Sequence, residues 1–264
     1  MEGNAALYVD GFNFYYGVTN HYRPLRAKWG YSLSGLCWCN FRALIERNFK
    51  GVDLRFVKYF TAPVTERVAL GEMPGEQDRY ALWRAALATV PGLHVVEGRY
   101  QPRGEEAPTP GAPAPAREEK QTDVQIAIEM LLDAANPALE LDTLFLLTSD
   151  QDLWPAVWAC ALRLERPLRV VVLLPPQGRK PDAERQLQEC SARLKERGRA
   201  GEAVFRHSRA EVCVFELHEG WLANALLSYE PASGVTCPPY WRLPGPFLDR
   251  YCKPAFRPDG AGLK

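Results

Sequence analysis

A chain of 264 residues, 47% of them hydrophobic, suits one α/β domain with extensions rather than two full domains. Its 32 Lys and Arg balance its 32 Asp and Glu, so the formal net charge is zero; this excludes a global basic field, and any grip on a polyanion has to be a local patch. An odd count of seven Cys argues against a disulfide framework, Cys37-x-Cys39 lacks the second pair or the His that a zinc site wants, and no stretch approaches the roughly 20 apolar residues of a membrane span.

In chain order, the apolar run of residues 5–9 stopped by Asp10-Gly11 predicts a buried strand entering a turn. Asn40 is placed to cap a helix carrying Phe41, Leu44, Ile45 and Phe49 on one side. Residues 53–60 predict a strand, Tyr80, Trp83, Leu87 and Val90 recur at helical spacing over about 76–90, and 93–100 predict a third strand. Residues 101–119, rich in Pro, Ala and Glu, read as a mobile insertion. Helix resumes near Thr122, where Thr122-x-x-Gln125 resembles a capping box, with Ile126, Met130 and Leu131 as its apolar face. Residues 143–148 predict a fully apolar strand, 152–164 a helix, 168–174 another apolar strand, 182–197 a charged amphipathic helix, 211–217 a last strand and 219–228 a last helix. The Pro- and aromatic-rich tail from 230 is expected to wrap the surface. Near-continuous apolar strands separated by helices mean a mainly parallel sheet covered on both faces, and such folds place their chemistry beyond the carboxyl ends of the strands.

The acidic residues meet that demand. Asp10 follows the first strand, Asp150 and Asp152 follow 143–148, and Asp123 opens a helix. Singly, each has a plain reading as a turn residue or a helix cap. Together they converge on one sheet edge, where like charges within about 4–6 Å raise one another's pKa and need protonation or a cation. Hard oxygen ligands without His suit Mg²⁺ or Mn²⁺, and the chemistry implied is metal-assisted attack of water on a phosphodiester. Asn13, at a helix start, is placed to hold a water or a phosphate. Thr148 and Ser149 are placed to donate hydrogen bonds to the Asp150 carboxylate or to substrate, and Lys120 to neutralise phosphate. Arg179 and Lys180 follow a buried strand and are candidates for the phosphate backbone. Tyr15 or Tyr16 is a candidate to stack on an unpaired base, although core packing of at least one is expected, and Trp154 carries the same ambiguity.

YVDGFNFYYG, EEKQTDVQIAIEMLLDA and LFLLTSDQDLWPAV, in that order and followed by VVVLLPPQGRK, resemble the successive motifs of the NYN domain family, relatives of PIN-domain nucleases. The resemblance spans roughly residues 5–217, and CPPYW in the tail is similar to the end of stand-alone bacterial members. It implies a PIN-like three-layer α/β/α sandwich and a divalent-metal-dependent ribonuclease, an endoribonuclease in type, with Asp10, Asp123, Asp150 and Asp152 as acidic site residues and Asn13 beside them. Two departures stand out. The insertion at 101–119 lacks the Cys of a zinc ribbon, and the family's Ala-Asp near the end of the domain is Ala210-Glu211, so Glu211 is left out of the site.

The expected organisation is therefore a nuclease domain over 1–217 and a C-terminal helix and tail over 218–264 packed on it. The expected partner is RNA, single-stranded or structured, in the cytoplasm and away from membranes, with a homo-oligomer left open. The competing expectation is a non-catalytic RNA-binding or scaffold module on the same fold. A haloacid-dehalogenase-type phosphatase is disfavoured because Phe12 stands where its second Asp belongs, and a flap-type nuclease because its extra DNA-gripping helices have no evident place.

Overall fold

The structure, a computed structural model, describes residues 2–22, 33–63, 76–102, 117–164, 166, 168–176, 212–230 and 234–259. Six strands form one parallel sheet: β1 (Gly3–Asp10), β2 (Val52–Thr61), β3 (Leu93–Glu97), β6 (Thr143–Leu147), β7 (Arg169–Leu174) and β8 (Val212–Glu216). Their order is β3-β2-β1-β6-β7-β8. The chain winds outward from β1 to β3, then returns to the far side of β1 and winds the other way. The seam between β1 and β6 is thus the switch point, where the crevice beyond the strand ends of such a sheet lies.

The central strands are apolar throughout because both faces are covered. Along β1, Ala5, Leu7 and Val9 join one core and Ala6 and Tyr8 the other, as the two-residue period of a strand requires. The first face carries α1 (Gly11–Tyr22), α2 (Phe41–Asn48) and α3 (Glu76–Leu87). In α1, Phe14, Val18 and Tyr22 recur at four-residue spacing and are buried. Asn40 caps α2, accepting from the Ala43 N–H at 3.0 Å. The second face carries α4 (Thr122–Ala135), buried through Ile126, Met130 and Ala134, and α5 (Trp154–Leu162). Lys58 on β2 pairs with Glu129 and Asp133 of α4, and the Tyr8 hydroxyl donates to Asp133 at 2.8 Å, fixing this helix against the sheet.

Several expectations change. The strand predicted over 93–100 divides at Gly98: β3 stays in the main sheet, while β4 (Arg99–Pro102) pairs antiparallel with β5 (Arg117–Lys120), so both ends of the 101–119 insertion are a strand pair rather than a loop. The capping box does not form. Gln121 occupies the cap position of α4 in a left-handed conformation (φ 78) with no side-chain cap bond, and the buried Gln125 Oε1 has no partner. The helix predicted over 219–228 is shorter, α6 (Glu219–Ala223). Nor does the tail only wrap the surface: with α7 (Gly245–Tyr251) it sends Trp241, Leu243, Phe247 and Cys252 into the first core beside Trp38 and Phe49. Cys37, Cys39, Cys160, Cys237 and Cys252 are free thiols. Among the described residues no helix is long and apolar enough to cross a membrane. The helix predicted at 182–197 lies outside the described residues.

Candidate functional site at the switch point

Asp10 ends β1 and immediately precedes α1. It is 5% exposed, and both its oxygens are engaged: Oδ1 accepts from the Asn13 N–H at 3.0 Å and Oδ2 from the Thr148 hydroxyl at 2.9 Å. The first bond is an N-cap of α1, reaching three residues into the helix; the second crosses the seam from the end of β6. Burial pushes the Asp10 carboxyl up to about 6, against these two bonds, and the charges of Asp123 and Asp150 add to the rise.

The loop after β6 is wired from the same residues. Thr148 Oγ1 also accepts from the Asp150 N–H at 3.0 Å, and Asp150 Oδ1 accepts from the Asp152 N–H at 2.9 Å, capping the short turn Gln151–Leu153. Asn13 does not cap its own helix. Its Oδ1 accepts from both the N–H and the hydroxyl of Ser149, each at 2.8 Å, which fixes the amide orientation and leaves Nδ2 with no protein partner among the described residues.

Asp10, Asn13, Asp123, Ser149 and Asp150 line one cavity of about 560 Å³. Asp123, in the first turn of α4, is raised by desolvation first and then by the charges of Asp150 and Asp152. Asp152 is solvent-exposed and outside the cavity lining, acting on it only through its charge. Thr148 is 2% exposed with its hydroxyl donating to Asp10 and accepting from Asp150. Its hydroxyl is thus engaged by Asp10 and the Asp150 N–H and does not donate to the Asp150 carboxylate as expected. Lys120 ends β5, but its side chain lies outside the described part, as do Arg179 and Lys180. Tyr15 and Tyr16 both face outward, 38% and 53% exposed, so neither is the core residue the sequence suggested. Tyr16 borders the acidic cavity and Tyr15 does not. Trp154 packs against the second core.

The cavity continues along α1 past Gly17 to Asn20 and His21, about 12 Å of helix from Asn13. Burial pushes the His21 imidazole below its usual value, partly offset by Glu219 and Glu216. Sequence reading missed this wall. Asn13, Gly17, Asn20 and His21, spaced four, three and one apart, already formed one polar helix face.

Among the described residues no three His, Cys, Asp or Glu side chains stand close enough to chelate an ion unaided. The donor set still fits a hard divalent cation held partly through its own water, as Mg²⁺ is commonly held by one or two carboxylates: Asp10 is a buried carboxylate pushed toward protonation, facing two others across one cavity.

The family model described as NYN domain matches residues 4–193. No curated protein matches the chain. Among solved structures, a protein of unknown function from Vibrio parahaemolyticus is similar over 83% of this chain and 94% of its own, at 11% identity and a TM-score of 0.40, too distant a likeness to bear on the site.

Proposed function

The chain belongs to the NYN domain family, and from that premise we propose that it is a divalent-metal-dependent ribonuclease hydrolysing phosphodiester bonds of RNA, of endoribonuclease type. The observation that carries this reading is the meeting of Asp10, Asp123 and Asp150 in one cavity at the switch point, with Asp10 buried and hydrogen-bonded both to the start of α1 and, across the seam, to Thr148 after β6.

Asp10, Asp123 and Asp150 would hold Mg²⁺ or Mn²⁺, with Asp152 adding negative charge at the rim. When bound, such an ion lowers the pKa of water and stabilises the oxygen that leaves phosphorus. The chain's own residues do the rest. The Asn13 N–H and the Thr148 hydroxyl keep the Asp10 oxygens in fixed directions, so little reorganisation is needed at the moment of reaction. The free Asn13 Nδ2 hydrogens point to a non-bridging phosphate oxygen as their acceptor, with Ser149 holding the amide in that orientation. Lys120, Arg179 and Lys180 remain the candidates for phosphate charge, and at the acidic cavity itself the contact is with the backbone.

One observation favours the second reading, a non-catalytic RNA-binding module: among the described residues the carboxylates are not clustered tightly enough for direct chelation. Cleavage of end-labelled single-stranded RNA with Mg²⁺, Mn²⁺ or EDTA, by wild type and Asp150→Asn, separates the two. Metal-dependent cleavage at least a hundredfold weaker in the variant is expected. Folded wild type that binds RNA without cutting it would favour the binding module, and cleavage that survives the substitution would place the chemistry elsewhere.

A further inference from the structure

A second cavity, of about 120 Å³, adjoins the acidic one; Phe12 and Tyr16 line both. Tyr80 and Trp83 from α3 continue its aromatic wall, and Thr61 and Arg79 supply polar atoms. Among the described residues neither the Thr61 hydroxyl nor the Arg79 guanidinium makes a hydrogen bond or an ion pair, so both are available to whatever enters this cavity. They line a ring-walled space one residue from the acidic centre, since Gly11 and Phe12 follow Asp10 directly.

We propose that this cavity is a nucleobase subsite: it takes the unstacked base of a single-stranded RNA next to the nucleotide whose phosphate lies over Asp10, Asp123 and Asp150, and it favours a pyrimidine. The proposal rests on the RNA reading above. Aromatic walls present flat faces on which bases stack. The Thr61 hydroxyl both donates and accepts, and so can satisfy a base edge. The Arg79 fork is suited to a base carbonyl or the flanking phosphate. Size sets the preference: a cavity of about 150 Å³ holds benzene, so this smaller one of about 120 Å³ admits at most a single ring and leaves the second ring of a purine in the mouth.

The test is fluorescence anisotropy in EDTA, so that nothing is cut, with labelled eight-unit oligouridylate, oligoadenylate and an abasic ribose-phosphate strand. Oligouridylate is expected to bind at least tenfold more tightly than the abasic strand, within the range that stacking of one base supplies, with oligoadenylate between them. Thr61→Val, which keeps the side-chain shape, and Tyr80→Ala, which removes one wall, are each expected to lose threefold or more on oligouridylate and nothing on the abasic strand. Any other order of affinities, equal or unmeasurable binding of all three, or variants that leave the base preference intact overturns the subsite. Base preference without metal-dependent cleavage leaves the subsite standing and removes the nuclease; cleavage of RNA with no base preference in binding does the reverse.

Discussion

At the scale of single residues, Asp10 is the group on which the site turns. Its carboxyl ionises near 6 in the folded protein against 3.8 ordinarily, so the folded metal-free chain binds more protons than the unfolded chain between those values. Stability from this group is fully present below about pH 4 and is lost as pH rises through about 6, a difference worth roughly 3 kcal/mol at most. Asp10→Asn is therefore expected to abolish metal-dependent activity and yet raise the metal-free unfolding free energy at pH 8 by about 1–3 kcal/mol, with no gain at pH 3.5. Urea titration at the two pH values measures it, and a variant less stable at pH 8 would mean that the ionised group is welcome in the fold. Mn²⁺ offsets the same penalty, so its stabilisation of the wild type is expected to weaken as pH falls through about 6, where protons compete for the ligand. Thr148→Val removes the hydroxyl that donates to Asp10 and accepts from the Asp150 N–H. Loss of a hydrogen bond to a charged acceptor moves that ionisation upward by about one to two pH units, and the Mn²⁺-induced shift in Tm is expected to move with it.

At the scale of elements, the turn from β1 into α1 decides where Asp10 and Asn13 point. A Cβ on Gly11 would lie 2.6 Å from the Phe60 carbonyl oxygen and from the Tyr59 ring and hydroxyl, and the backbone of a central strand cannot yield. Gly11→Ala is expected to cost about 1–3 kcal/mol of stability and to lower cleavage disproportionately by tilting the start of α1; equal losses in both would mean that the turn matters to folding alone. This turn was legible in the sequence because an apolar run ended by Asp-Gly has few alternatives. The same holds for β6 and β7, whose all-apolar runs fit only strands covered on both faces. What escaped was whatever depends on partners distant in sequence. Ser149 finds Asn13 across 136 residues and Thr148 finds Asp10 across 138, partners that no local pattern announces. The capping box failed because β5 delivers the chain to α4 through a left-handed Gln121, a conformation that pattern reading does not expect of glutamine. The aromatic cavity drew walls from α1, β2, α3 and the tail, no two of which carry a shared motif.

For the whole molecule, the same distribution of walls ties the site to the far end of the chain. A boundary at 217/218 separates the recognisable motifs from the rest, but the first core includes residues on both sides of it: Trp241 packs its ring 5.6 Å from Trp38 and 6.1 Å from Trp83, and its backbone oxygen closes over Gly35. The C-terminal segment is thus part of what holds α3 against the sheet, and through Trp83 and Trp241 it shapes the cavity beside the acidic cleft. Trp241→Ala is expected to cost about 3–5 kcal/mol, the range for emptying a buried tryptophan site, and to enlarge that cavity. The two effects separate experimentally. Urea denaturation reads the first, and the ratio of oligouridylate to oligoadenylate affinity reads the second. That ratio should fall toward one if the wall removed was what excluded the second purine ring. A variant that loses stability while keeping the ratio would place the size limit in α1 and α3 and leave the tail a purely structural wall.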